Sequence, residues 1–486
     1  MPSAKDLLAQ GLQPAHPREV LRRELLSRLA AHRKAGADAA EAMQELFPST
    51  ILDPPVLHNV VSALLAGSNL LLLGPTGSGK TGLAKEVWSL FPKDTLAVDG
   101  CPVQDDPFSV VDPTFAKSVP PCPHCRARFH KGATTEAFDA TRVDAADVPV
   151  RRVTLREGHG LARIQGSPEV FPDYLTGSLN LAKLEEHGDP ESPLVLEPGK
   201  VMQAHRGVLL VDEIGKLPRG TQNVLLQALQ ESIVTPAKTR ETFPAAFVAV
   251  ATSNLDDLDA ITEPLVGRLS GVYMGFSTDR ARNRRIVDLG LGAARGAYVS
   301  PALREVTVAL MTRWRKTTAD VSDLSEVGSN RTMIDLVRRA ESHATLAGRH
   351  AATLDDLRHG ARDAMLGRVR ARSPDAFVQN RDVVEAFLQK TWRGAAQEGA
   401  EAFWCVFFVD ALAEDKAEAS RLVQEASGFL QGRDGGVRLD ELPPKLRRFA
   451  DWLAAAEGPG QSVPPGDAAA YTFRALLAAG VFEAKA

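Results

Sequence analysis

An α/β fold, a parallel sheet flanked by helices and followed by a long helical region, is predicted by three stretches of the 486-residue chain. Leu70–Leu73 is a short apolar run that breaks into Gly74-Pro-Thr-Gly-Ser-Gly-Lys-Thr81 and then into helical spacing over Gly82–Leu90. Gly207-Val-Leu-Leu-Val-Asp-Glu213 is a second apolar run, ending in two acids, and Phe247–Asn254 is a third, ending in a polar amide. Runs of this length bounded by loops read as buried strands whose carboxyl ends meet at a ligand crevice.

Composition fits several domains. The chain is too long for one core, and its hydrophobic content of 44% and charged content of 24% are those of a globular protein. A net charge of −4 gives no basis for bulk nucleic-acid or acidic-membrane binding. The first residues lack a secretory pattern, and no apolar stretch approaches the ~20 residues of a membrane span. Four cysteines in so long a chain make no disulfide framework, so a cytoplasmic, reducing location is expected.

Taken in order, residues 1–47 read as a helical arm with an amphipathic stripe over Val20–Leu29. Asp53-Pro-Pro then opens a short helix feeding the first strand. Gly74 to Thr81 fits the phosphate-loop pattern in the strand–loop–helix context that the pattern needs. Gly74, Gly77 and Gly79, with Pro75, Thr76 and Ser78 between them, let backbone N–H groups surround phosphate oxygens at a helix N-terminus. Lys80 is placed to reach the β- and γ-phosphates of a nucleoside triphosphate, and Thr81 to offer its hydroxyl to Mg²⁺. Asp212 is expected to hold Mg²⁺ through water, and Glu213 to orient and deprotonate the attacking water. Asn254 either bonds the γ-phosphate or lytic water, or caps a turn.

Between these anchors, residues 101–150 form a proline-bearing insertion with little periodicity. Cys122-Pro-His-Cys125 is a turn that can present two thiolates to one zinc, and Cys101 with His124 or His130 could complete the set; otherwise the thiols are unbound. Residues 151–200 read as strand, loop and a second, glycine-bearing insertion of the kind that carries function. Ser232–Phe243 alternates like a hairpin.

This set of motifs resembles AAA+ ATPases of the magnesium-chelatase ATPase-subunit type, close to the MoxR group. The resemblance rests on Gly74–Thr81, Asp99-Gly-Cys-Pro-Val-Gln-Asp-Asp-Pro107, Thr176–Leu181, Leu196–Ile214, Glu263-Pro-Leu-Val-Gly-Arg268-Leu and Ser329-Asn-Arg331, with the helical stretch beyond. It covers roughly residues 48–375. It implies an AAA+ core over 48–290 with a helix-2 insertion at 158–181 and a pre-sensor hairpin at 232–246. It also implies an α-helical lid over 291–394, leaving 395–486 as a mostly helical extension outside the family pattern. A homo-oligomeric ring, usually a hexamer, follows from it, with ATP between subunits. Arg268 would be the finger reaching the neighbour's site and Arg331 the sensor on the lid; outside that pattern each could serve a surface salt bridge.

The function implied is a ring-forming ATPase that remodels a protein client. The alternatives are the ATPase subunit of a metal chelatase and an ATP-gated scaffold. No D-x-S-x-S motif occurs, so a von Willebrand-type partner would be a separate chain. Nucleic acid is not the expected partner, since the candidate pore segments offer only Arg163, Lys238 and Arg240 as cations.

Overall fold

The computed structural model describes residues 2–130, 138–188, 195–236, 241–292, 296–318, 328–366, 376–412, 416–433, 436–457 and 463–482. The chain divides into two compact units, Met1–Gly275 and Phe276–Ala486.

The first unit holds β1 (Asn69–Leu73), β2 (Asp94–Val98), β3 (Val150–Thr154), β4 (Arg156–Glu157), β5 (Gly160–Gln165), β6 (Gly177–Leu179), β7 (Leu196–Pro198), β8 (Val208–Asp212), β9 (Ile233–Val234), β10 (Phe243–Pro244), β11 (Val248–Ser253) and β12 (Leu269–Tyr273). Among the described residues, the main sheet runs β12-β1-β11-β8-β5-β4, and its strands are parallel. Leu71 pairs with Ala251 on one side and Gly271 on the other, and Leu210 lies between Val250 and Arg163. Near-continuous apolar runs in β1, β8 and β11 are what a sheet covered on both faces requires. Leu70 and Leu72 pack on one side with Val87 of the helix Lys80–Leu90, while Leu71 and Leu209 face the other side. This is the expected α/β phosphate-loop core.

The N-terminal helices pack onto this core. Leu21, Leu25 and Leu29 of the helix Pro17–Lys34 are buried in the same cluster as Leu57, Leu70 and Val87. The apolar stripe read from the sequence is therefore spent within the unit, and 1–47 is part of it.

One expectation about the insertions is corrected. Residues 158–181 do not form one insertion, because Gly160–Gln165 is β5, a strand of the main sheet paired with β8. The excursion lies further on, where β6 and β7 pair antiparallel as Gly177–Pro198 and Leu179–Leu196. The sequence Gly-Leu-Ala-Arg-Ile-Gln alternates because Ala162 and Ile164 are buried while Arg163 and Gln165 face outward. That period of two marks a strand rather than a loop. The stretch before β5 also contains a sheet of its own, with β2 and β3 antiparallel from Asp94–Thr154 to Val98–Val150. The expected hairpin is present as β9 and β10; Lys238 and Arg240 lie outside the described residues.

The second unit is helical among the described residues. The break comes at Gly275/Phe276, not at 290/291, since 290 falls inside the helix Arg280–Leu291, whose Val287 joins the second unit's core. Nor does a domain end at 394. One 32-residue helix, Ala376–Phe407, runs through that point. Its Phe387 and Phe407 share a single apolar core with Trp314 and Leu336 of the expected lid and with Phe449 and Phe473 of the expected extension. Phe407 meets Phe449 edge to face at 4.8 Å between centroids, an arrangement favoured by the ring quadrupoles.

Candidate functional site

The carboxyl ends of β1, β8 and β11 bring Lys80, Asp212, Glu213 and Asn254 together. Gly79 enters the helix Lys80–Leu90 at φ +104°, a left-handed conformation that turns the loop back over the helix N-terminus. A Cβ at Gly166, just after β5, would lie 2.0 Å from the carbonyl oxygen of Glu213, so only glycine lets that strand end pass so close to the acid.

Lys80 is buried, and its ammonium donates to the carbonyl oxygens of Gly74 at 2.6 Å and Pro75 at 2.9 Å and to Asn254 Oδ1 at 3.2 Å. Burial lowers its pKa, opposed by the charges of Glu213 and Asp212. Thr76 Oγ1 donates to the same Asn254 oxygen at 3.5 Å. Asn254 stands at the cap position of the turn Leu255–Ala260, but its side chain makes no cap bond. Its amide faces the phosphate loop instead.

Thr81 Oγ1 donates to Asp212 Oδ1 at 3.0 Å. The two residues expected to hold Mg²⁺ thus already share one locus. Ser78 Oγ is buried without a hydrogen-bond partner. A buried orphan hydroxyl beside a lysine and a left-handed glycine is what a loop built around an anion would leave. The residues fit Mg-ATP: Gly74–Thr81 around the phosphates, Thr81 and Asp212 around the cation.

Three residues at this site, Thr252, Gln165 and Lys216, were assigned no role from sequence, and a fourth, Arg163, was expected elsewhere. Thr252 is buried on β11; its hydroxyl donates to Asp212 Oδ1 at 3.1 Å and accepts the Glu213 N–H at 3.1 Å. Glu213 has left-handed backbone angles, φ +54°, and its Oε2 accepts from Gln165 Nε2 at 3.1 Å and Lys216 Nζ at 2.9 Å. Arg163 lies on β5 and pairs with Asp212, which removes it from the pore candidates. Its position opposite Leu210 in the sheet was hidden because β5 had been read as part of a loop.

Arg268 is exposed after the short helix Glu263–Val266, donating to Pro264 O at 2.7 Å and Gln230 Oε1 at 2.6 Å. Among the described residues, neither of these bonds goes to the phosphate loop of its own chain. Arg331 is exposed in the first turn of the helix Asn330–Leu346, in the second unit.

The cysteine expectation is corrected at its fourth member. Ligand atoms of Cys101, Asp105, Cys122 and Cys125 all lie within 4.8 Å of one another, and each residue is buried. His130 is elsewhere: its Nδ1 accepts the Asp139 N–H at 3.4 Å and its ring lies 6.0 Å from that of Phe138. His124 is not in the cluster either. Both lie on or next to the helix that follows Cys122, and the chain instead turns Asp105 inward from the loop after β2.

Part of the chain is similar to known proteins. The model of the ATPase family associated with various cellular activities (AAA) matches residues 146–263. The matched stretch runs from just before β3 to the first residue of the helix Glu263–Val266, and Gly74–Thr81 lies outside it. The archaeal Lon protease of Thermococcus kodakarensis is 37% identical over 105 residues, 18% of this chain and 16% of its own length. The transcriptional activator RocR of Bacillus subtilis is 42% identical over 96 residues, 19% of this chain and 21% of its own. The chain thus spans only a small part of these relatives. Among solved structures, a BchI–BchD magnesium chelatase complex is similar at 20% identity and a TM-score of 0.32, over 64% of this chain and 92% of that one. NtrX from Brucella abortus in complex with ADP is similar at 16% identity and a TM-score of 0.37, over 68% and 58%.

Proposed function

We propose that this AAA-type chain is an Mg²⁺-dependent ATP hydrolase. In this reading it works as a homo-oligomeric ring, hexameric in the helix-2-insertion branch that holds chelatase subunits and the MoxR group, and it remodels a protein client in the cytoplasm. A von Willebrand-type protein encoded separately is the client class this branch suggests. The observation that carries the reading is the convergence of Lys80, Thr81, Asp212, Glu213 and Asn254 at three adjacent strand ends.

Lys80 would leave its loop carbonyls for the phosphates, since an anion is a better partner for an ammonium than two neutral oxygens. Thr81 and Asp212 would hold Mg²⁺, which supplies charge neutralisation on the phosphate oxygens. Glu213, held by Gln165 and Lys216, would take a proton from water oriented by Asn254. Arg268, exposed and bonded away from its own loop, is suited to a neighbour's site; Arg331 would sense nucleotide from the helical unit. Zinc belongs to this reading as a structural element of the insertion, with no part in hydrolysis.

Glu213→Gln tests the assignment. ATP binding and ring assembly should persist while phosphate release falls by at least about 10²-fold, the usual contribution of a general base. Wild-type turnover by that variant would overturn the role of Glu213. Phosphate release by the wild type no greater than that of Lys80→Ala would replace the motor with a nucleotide-gated scaffold.

A further inference from the structure

The insertion that precedes β3 gathers three buried thiols and one buried carboxylate. Cys101 and Asp105 come from the loop after β2, Cys122 and Cys125 from the start of the helix Pro123–Phe129. We propose that these four residues hold one tetrahedral Zn²⁺ ion, with Asp105 as the fourth ligand. We propose further that this ion fastens the insertion to the base of the β9–β10 hairpin.

Distances favour a single ion. Two sulfurs each ~2.3 Å from a tetrahedral zinc lie about 3.8 Å apart, and Cys101 Sγ is 3.6 Å from Cys122 Sγ. A cluster of several irons needs its thiolates spread more widely than the 4.8 Å that encloses all four ligand atoms here. A disulfide would need an S–S distance of about 2.05 Å, and it would consume two thiols while giving Asp105 Oδ1 no partner.

Asp105 supplies an independent sign. It is 1% exposed, and its Oδ2 accepts the Cys122 N–H at 2.7 Å, while Oδ1 has no hydrogen-bond partner among the described residues. A buried carboxylate oxygen left bare costs several kcal/mol unless a cation meets it. The surroundings also suit thiolate ligands: the Asp105 N–H donates to Cys101 Sγ at 3.3 Å, the kind of outer contact that orients a metal-bound sulfur. Four protein ligands leave no open position, so the ion is structural rather than catalytic.

The second half of the proposal follows from Arg126, one residue after Cys125. It is 1% exposed and donates to Pro121 O at 2.7 Å, to Thr242 O at 3.4 Å and to the Glu241 carboxylate. Glu241 and Thr242 lead directly into β10. Fixing Cys122 and Cys125 on a metal therefore fixes the helix turn that holds one leg of the hairpin. This is independent of whether the protein hydrolyses ATP.

The test uses the whole chain purified in reducing buffer. Elemental analysis should find one zinc per chain, and Co²⁺ exchanged into the site should show thiolate charge-transfer bands with the intense ligand-field bands of a tetrahedral centre. Asp105→Ala should weaken zinc retention against a chromophoric chelator by roughly 10-fold or more, whereas His130→Ala should not. Removing the ion from the wild type should speed amide exchange across residues 241–246. A metal-free chain that takes up neither Zn²⁺ nor Co²⁺, a Cys101–Cys122 disulfide in the intact mass, or equal loss from His130→Ala would overturn the site. Unchanged exchange at 241–246 after metal removal would overturn the fastening role. The metal content and Co²⁺ spectrum need no variant, so a misfolded substitution leaves the test intact.

Discussion

Arg163 lays its guanidinium on the carboxylate of Asp212, with NH2 2.5 Å and Nε 3.1 Å from Oδ2, while Thr81 and Thr252 hold the other oxygen. The acid that should meet Mg²⁺ is thus fully engaged by a cation and two hydroxyls of its own chain. Strand register explains it. Arg163 is the outward residue of β5 next to Leu210, two residues short of the acid, and a long side chain spans that offset.

Mg²⁺ entering beside Asp212 has to share or displace that guanidinium. Arg163→Met removes the competing charge while keeping a stem of similar reach. The half-saturating Mg²⁺ concentration for ATP binding should fall, by roughly 2–5-fold, because the arginine side chain is 42% exposed and solvent screens the pair. A Mg²⁺ titration in the Glu213→Gln background measures it. A rise in the Mg²⁺ requirement would instead make Arg163 a supporting group for the loaded site.

Thr252 ties the two acids together, donating to Asp212 and accepting from the Glu213 backbone. Thr252→Val keeps the shape and removes both bonds, leaving the half-buried Glu213 N–H without this partner and Asp212 Oδ1 with Thr81 alone. Such losses cost about 1–3 kcal/mol. Denaturant unfolding should show a decrease in that range. Turnover should drop more than nucleotide affinity, because the phosphate loop itself is untouched.

Acid sensitivity should arise at His16, which caps the helix Pro17–Lys34 by accepting the Arg18 N–H on Nδ1 at 3.3 Å. Burial, with Arg18 nearby, pushes its pKa down from 6.5 to about 4. The unfolded chain therefore binds a proton between these values that the folded chain refuses, and stability falls as pH drops through that window. Between pH 7 and pH 5 the loss should be roughly 1–2 kcal/mol. His16→Asn keeps a cap acceptor and does not titrate, so its unfolding free energy should change less over the same interval. Equal slopes in wild type and variant would remove His16 as the cause.

The phosphate loop and both acids were legible because short-range chemistry fixes them: glycines where a left-handed turn is needed, carboxylates at the end of an apolar run. Arg268 and Arg331 were picked out only by family resemblance, since an exposed arginine carries no local signal. What the sequence hid were pairings across the sheet. Arg163, Gln165 and Thr252 acquire roles through register with β8, and register is not written in any one strand. Asp105 was missed for a related reason. Histidine two or five residues after a cysteine looks like a ligand, but the loop from Cys101 to Asp105 turns tightly, with Gln104 at φ +60°, and brings a carboxylate inward. The boundary expected at 394 failed because an uninterrupted helix gives no composition change where a family pattern stops.

The last prediction concerns the shared site. Arg268 bonds to Pro264 and Gln230 at the surface, so its loss should leave the fold and the subunit's own nucleotide pocket intact. Arg268→Ala alone should bind ATP normally and lose most turnover, given the ~10³–10⁵-fold effect of such fingers elsewhere. Lys80→Ala should lose nucleotide binding and keep its arginine. If pockets are completed between subunits, an equimolar mixture allowed to exchange contains interfaces pairing an intact Lys80 with an intact Arg268. Phosphate release from the mixture should then exceed that of either variant by a clear multiple. Two folded, co-assembling variants that stay silent when mixed would place Arg268 outside the reaction and leave hydrolysis to residues of a single chain.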